Sequence, residues 1–150
     1  MSLKLIVAGS VLLAAAASQS GGPQTYYVDS SRGNDANSGL SAAKSWKSLD
    51  KVNSTVFRAG DRILLKAGTA YNGQLRPQGS GSEGRPIAID MYGQGEKPLI
   101  AAGGKFHEAL LLKNQEYWEV SNLQLTNTGP LLCRSKNKFR KLTRISHYFY

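Results

Sequence analysis

The chain has 150 residues, 41% of them hydrophobic, with a formal net charge of +9 and a single cysteine, Cys133. One cysteine excludes an intrachain disulfide framework, and the length is that of one domain. Residues 1–130 carry 13 Lys/Arg against 10 Asp/Glu, whereas 131–150 carry six Lys/Arg and no acid; the basicity thus belongs to the last twenty residues and excludes a nucleic-acid signature for the rest.

Met1–Lys4 is short and basic, Leu5–Ala17 is apolar, and Ala15-Ala16-Ala17 has the small-residue pattern of a cleavage site. Residues 1–17 read as a secretory signal peptide, which predicts a secreted product: extracellular, periplasmic or held at the cell surface. The apolar run is shorter than the roughly 20 residues of a stable membrane span. Residues 18–24 (SQSGGPQ) read as a linker.

Tyr26–Val28 is aromatic and β-branched, a short strand by propensity. The loop Asp29–Gly39 follows, rich in Asp, Asn, Ser and Gly. Asp29, Asp35 and Asn37 present oxygens of the kind that hold a hard cation such as calcium. The same side chains also close loops by bonding nearby backbone, and the spacing lacks an EF-hand pattern. Residues 46–57 predict an amphipathic helix with Trp46, Leu49, Val52 and Val56 near one face, Ser45 as N-cap and Gly60 as stop.

Beyond the helix the period shortens. Arg62–Lys66, Pro86–Asp90 and Ala109–Lys113 are apolar strands bounded by Gly, Pro or Asn. Ile63 and Ile87 lie 24 residues apart, Leu110 or Leu111 follows after 23 or 24, and Leu75, Leu99 and Leu123 form a second series at 24. Two series at one period predict a repeated supersecondary unit over residues 25–130, an all-β parallel β-helix with a capping helix at its N-terminal end. A β-sandwich is the alternative, favoured locally by the hairpin signal Asn72-Gly73. An open last coil would expose strand edges and invite self-association. The pattern stops near Pro130, and the unpatterned basic stretch 131–150 reads as a truncation or a change of reading frame.

The stretches 26–53, 59–68, 79–100 and 117–127 together resemble the N-terminal cap and first coils of secreted right-handed parallel β-helix proteins, among them pectate-lyase-like polysaccharide-degrading enzymes. The resemblance covers residues 25–129. Lys44-Ser45 and Arg58-Ala59 depart from it, standing where such proteins often carry proline. It implies a polysaccharide as partner and a parent acting on acidic, uronic-acid polymers, either as a lyase assisted by calcium or as a glycoside hydrolase with paired carboxylates. The chain itself is expected to lack the catalytic coils and to be inactive. A non-catalytic glycan-binding or adhesion β-helix, or a fragment without function of its own, are the other readings.

No catalytic residue is assigned. Tyr117 and Trp118 flank a strand start, so one faces outward and could stack on a sugar, while packing along the stack is the simpler reading. Lys66 and Lys113 end successive predicted strands, where they could meet an anionic glycan or stay solvated. Asp90 has Lys66 and Asn114 at the 24-residue offsets, which leaves it without an acidic neighbour.

Overall fold

The structure, a computed structural model, describes residues 21–128 and the pair 145–146. The signal reading of 1–17 and the tail reading of 131–150, apart from that pair, lie outside the described residues.

The regular structure of the described chain is nearly all strand. Its elements are β1 (Thr25–Val28), a 3-10 turn (Ala42–Lys44), α1 (Leu49–Asn53), β2 (Arg62–Lys66), β3 (Ala70–Asn72), β4 (Ile87–Tyr92), β5 (Leu99–Ala101), β6 (Trp118–Val120), β7 (Gln124–Thr126) and β8 (Ile145–Ser146). They form two sheets, ordered β1-β2-β4-β6-β8 and β3-β5-β7. From β2 onward the chain visits the two sheets alternately. All pairs among β1 to β7 are parallel, and β8 joins β6 antiparallel. Parallel neighbours cannot be joined by a tight turn and need a long crossover. Here a strand of the other sheet lies within each crossover from β2 to β4 and from β4 to β6. The parallel pairing removes the antiparallel sandwich alternative, and Asn72-Gly73 makes no hairpin: Asn72 ends β3, and the Gly73 amide continues the ladder to Ala101 at 2.9 Å.

Register is set by rows across the larger sheet. Tyr26, Ile63, Ile89 and Val120 stand side by side, as do Val28, Leu65 and Met91. Ile63, Leu65, Ile87 and Ile89 are fully buried, and Trp118 and Val120 nearly so. Tyr71 and Ile100 cover them from the smaller sheet. The Tyr71 hydroxyl crosses the core, donating to the Val28 carbonyl at 2.8 Å and accepting from the Lys66 amide at 3.2 Å. Burial of that ring raises its hydroxyl pKa, so it stays a neutral bridge between sheets.

The 24-residue spacing is not the pairing register. Ile63 stands beside Ile89 rather than Ile87. Leu75 bridges Leu110 rather than stacking on Leu99, which pairs with Ala70 and Gln124. The strand expected over Ala109–Lys113 shrinks to that single bridge, closed by Leu75 N–H to Ala109 O at 2.8 Å and Leu111 N–H to Leu75 O at 2.9 Å.

The helix expected over 46–57 is one turn and a half. Trp46 is excluded because its backbone is already paired: its amide donates to Tyr27 O at 2.9 Å and its carbonyl accepts from Asp29 at 2.8 Å. Ser48, not Ser45, caps the helix, its hydroxyl accepting from the Lys51 amide. Leu49 and Val52 turn into the core beside Phe57, whereas Val56 is 67% exposed. Asn53 ties the helix to the chain beyond β3, donating to Gln74 O at 2.9 Å and accepting from the Arg76 amide at 2.6 Å. Of the linker expected over 18–24, Gln24 is already fixed, its amide donating to Asp61 Oδ1 at 2.8 Å.

Ile89 sits in the middle of its row with no exposure, so Ile89→Ala is expected to destabilise the chain by about 2–5 kcal/mol. Val56→Ala should change stability by less than about 0.5 kcal/mol. Urea unfolding of the two variants measures both; equal losses would contradict the assignment of the row.

Candidate functional site

Strand alternation sends every second side chain of the larger sheet outward. The outward set is Arg62, Leu64 and Lys66 on β2, Ala88, Asp90 and Tyr92 on β4, Tyr27 on β1 and Glu119 on β6. True register places Tyr27, Leu64 and Asp90 in one row and Lys66 beside Tyr92 in the next. Tyr27 and Tyr92 meet edge to face at 5.1 Å. The Lys66 ammonium lies 5.2 Å from the centre of the Tyr92 ring, a cation–π distance. Tyr92 is pushed up to about 12, first by burial and then by the charge of Asp29, so its hydroxyl is a neutral donor at any ordinary pH. Asp90 Oδ1 accepts from the Asn122 side-chain amide at 2.9 Å and from the Met91 backbone at 2.8 Å. Asn122 reaches it from a left-handed backbone conformation, φ 51°.

This face joins two ring edges, an ammonium, an oriented carboxylate and a primary amide. Such groups match the hydroxyls and C–H faces of a sugar. They do not constitute acid–base machinery. Asp90 and Glu119 both point outward, but Glu119 stands beside Ala88, two residues along β4 from Asp90.

The predicted site residues separate. Lys66 belongs to this face. Lys113 is exposed in the stretch after the Leu110 bridge, not at a strand end. Tyr117 is 37% exposed with φ 55°, and its carbonyl accepts from the Ile87 amide at 2.9 Å. Trp118 is 6% exposed, donates from Nε1 to Gly79 O at 3.0 Å and meets the Phe57 ring at 6.4 Å. It packs along the core and has no face to offer a ligand. Tyr27, Tyr92 and Asn122 carry no motif; only the correct register brings them to Asp90.

The loop trio proposed for calcium is engaged in hydrogen bonds to nearby backbone. Asp29 Oδ1 accepts from the Ser31 hydroxyl and from the amides of Ser31 at 2.9 Å and Arg32 at 3.2 Å. Burial opposes its charge, but those bonds outweigh it and hold the carboxyl below the ordinary carboxylate range. Asp35 Oδ1 accepts from the amides of Lys47 at 2.7 Å and Ser48 at 2.9 Å. There too burial is outweighed by hydrogen bonds, from Ser48 and Lys47, and the pKa is lowered. Asn37 donates to Ser45 O at 3.0 Å. These side chains close the loop around Trp46. Among the described residues no group of three or more His, Cys, Asp or Glu is placed to hold a metal ion. Among the same residues no helix is long and apolar enough to cross a membrane.

No family model matches the chain. Individual proteins do, and they share a class: carbohydrate-active, glycan-degrading enzymes. The chain is 36% identical over 130 residues to a lacto-N-biosidase of Bifidobacterium longum, with 69% of this chain and 8% of that protein covered. It is 31% identical over 71 residues to alpha-1,3-galactosidase A of Akkermansia muciniphila, covering 47% of this chain and 12% of that one. The crystal structure of a GH136 lacto-N-biosidase from Eubacterium ramulus superposes with a TM-score of 0.68 at 31% identity, over 75% of this chain and 22% of that one. The chain therefore spans about a tenth of its curated relatives and is homologous to a portion of carbohydrate-active proteins. The expectation of a uronic-acid lyase finds no support among these relatives, whose names are those of a biosidase and a galactosidase.

The lowered carboxyls of Asp29 and Asp35 fix a pH dependence. Their folded pKa values lie below the unfolded ones, so their stabilisation is complete above about pH 4 and disappears as pH falls through the folded values. The urea midpoint is expected to drop on acidification below pH 4, and the double variant Asp29→Asn/Asp35→Asn to drop less steeply. Calcium at neutral pH should leave the midpoint unmoved; a calcium-dependent rise would instead place a cation in the loop.

Proposed function

We propose that this chain is the N-terminal portion of a secreted glycoside hydrolase built as a right-handed parallel β-helix. It supplies the cap and first coils, and its outward face lies along the path of a glycan. The observation that carries this reading is the joint match to lacto-N-biosidases, over 69% of the chain in sequence and 75% in structure. The alternation of the chain between two parallel sheets supports the β-helix. The apolar segment before the cleavage pattern supports export.

Glycoside hydrolysis needs two carboxyl groups flanking the scissile bond. On this reading they lie in the part of the relatives beyond this chain's span, and turnover requires that part. The portion described here contributes a closed end to the hydrophobic core and a hydrogen-bonding face continuous with the catalytic coils. The substrate class is a neutral, galactose-containing oligosaccharide, in keeping with the names of the relatives.

A chimera tests this. Residues 25–128 replace the matching segment of the Eubacterium ramulus lacto-N-biosidase, and disaccharide release is followed. Turnover near that of the parent enzyme is expected, while the chain alone releases no sugar. A chimera that folds by circular dichroism yet has lost turnover would overturn the proposal, as would unsaturated uronide formed by the chain from an acidic polysaccharide.

A further inference from the structure

Beside the first strand lies a cleft that the outward face does not include. Its cavity measures about 440 Å³, within the usual range for small-molecule sites. Tyr26, Leu40, Val56, Arg58, Gln24 and Asp61 are among its lining residues. Leu40 and Val56 are 49% and 67% exposed, large apolar side chains left in water on the same cleft. The Tyr26 ring is fixed between two others, stacked on Trp46 at 4.9 Å and edge-on to Phe57 at 5.3 Å.

The polar part is equally fixed. Asp61 is 3% exposed, its Oδ1 accepting from the Gln24 amide at 2.8 Å and its Oδ2 from the Arg58 amide at 2.9 Å. These two bonds set the carboxylate orientation, and a carboxylate oxygen can accept more than one hydrogen bond. The Tyr26 hydroxyl is raised in pKa, mainly by burial and then by the Asp61 charge, and so remains a donor.

We propose that this cleft is a binding subsite for a pyranose unit of a neutral glycan. The Leu40 and Val56 side chains meet the C–H face of the sugar, and Tyr26 and Asp61 take its hydroxyls. A pyranose is amphipathic in this sense, apolar on its faces and polar around its rim. The inference rests on the glycan-degrading reading above and adds a site to it.

The test uses the exported chain labelled with nitrogen-15, titrated with the neutral sugars lactose and N-acetyllactosamine. Amide shifts are expected at Gln24, Tyr26, Leu40 and Asp61 with at least one of them. Leu40→Asp and Val56→Asp lie on exposed positions, so the fold should survive, and each should weaken binding by about tenfold or more. Shifts confined to Tyr27, Lys66 and Tyr92, or absent with both neutral sugars, overturn the subsite. So does a concentration-dependent dimer abolished by the two variants, since the cleft would then join copies of the chain. If the chimera is active while the cleft stays silent, only the subsite fails and the hydrolase reading stands.

Discussion

The row Tyr26, Ile63, Ile89 and Val120 crosses four strands that all run the same way. Parallel pairing dictates much of what surrounds it. Each strand must be left at one end and re-entered from the other, so the chain needs a return path. The smaller sheet is part of that path, and it also closes the core. Tyr71 joins the two requirements: its ring fills space behind the row while its hydroxyl bonds the backbone of β1 and β2. A polar atom at the centre of an apolar core is tolerated because its donor and acceptor roles are both used.

The same row determines the surface chemistry. Once Ile63 and Ile89 point inward side by side, Leu64 and Asp90 must point outward side by side, and Lys66 must lie next to Tyr92. The cluster of rings, ammonium and carboxylate follows from backbone register and not from any contiguous motif.

Much of the fold was legible in the sequence. Apolar runs bounded by turn residues gave β2 its observed limits, and their repetition at a near-constant interval pointed to an all-β chain of parallel strands. The register was not legible, for a specific reason. Side chains alternate with period two, so a slip of two residues leaves every facing unchanged. Ile87 and Ile89 both point inward, and either satisfies the pattern opposite Ile63; hydrogen bonds such as Ala88 N–H to Asp61 O, 2.9 Å, decide between them. The helix was overextended for a related reason. Trp46 fits an amphipathic helix by spacing, but its backbone groups are claimed by Tyr27 and Asp29, which are distant in sequence. The loop residues Asp29, Asp35 and Asn37 were ambiguous because loop closure and cation binding draw on the same oxygens.

The crossovers are unequal in a systematic way. Passage from the larger sheet to the smaller takes short links, 67–69, 93–98 and 121–123, whereas the return takes long ones, 73–86 and 102–117. Successive long links also lie against each other: Gln115 donates to Pro77 O at 2.8 Å, and Gly81 donates to Glu116 O at 3.0 Å. Length can therefore change at the return corner while the rows stay in place. Insertions and deletions between homologues should accumulate along that one rim, outside the buried Leu75, Pro77 and Ala109 that the same links send into the core, and a loop grafted there would be displayed at the edge of the scaffold.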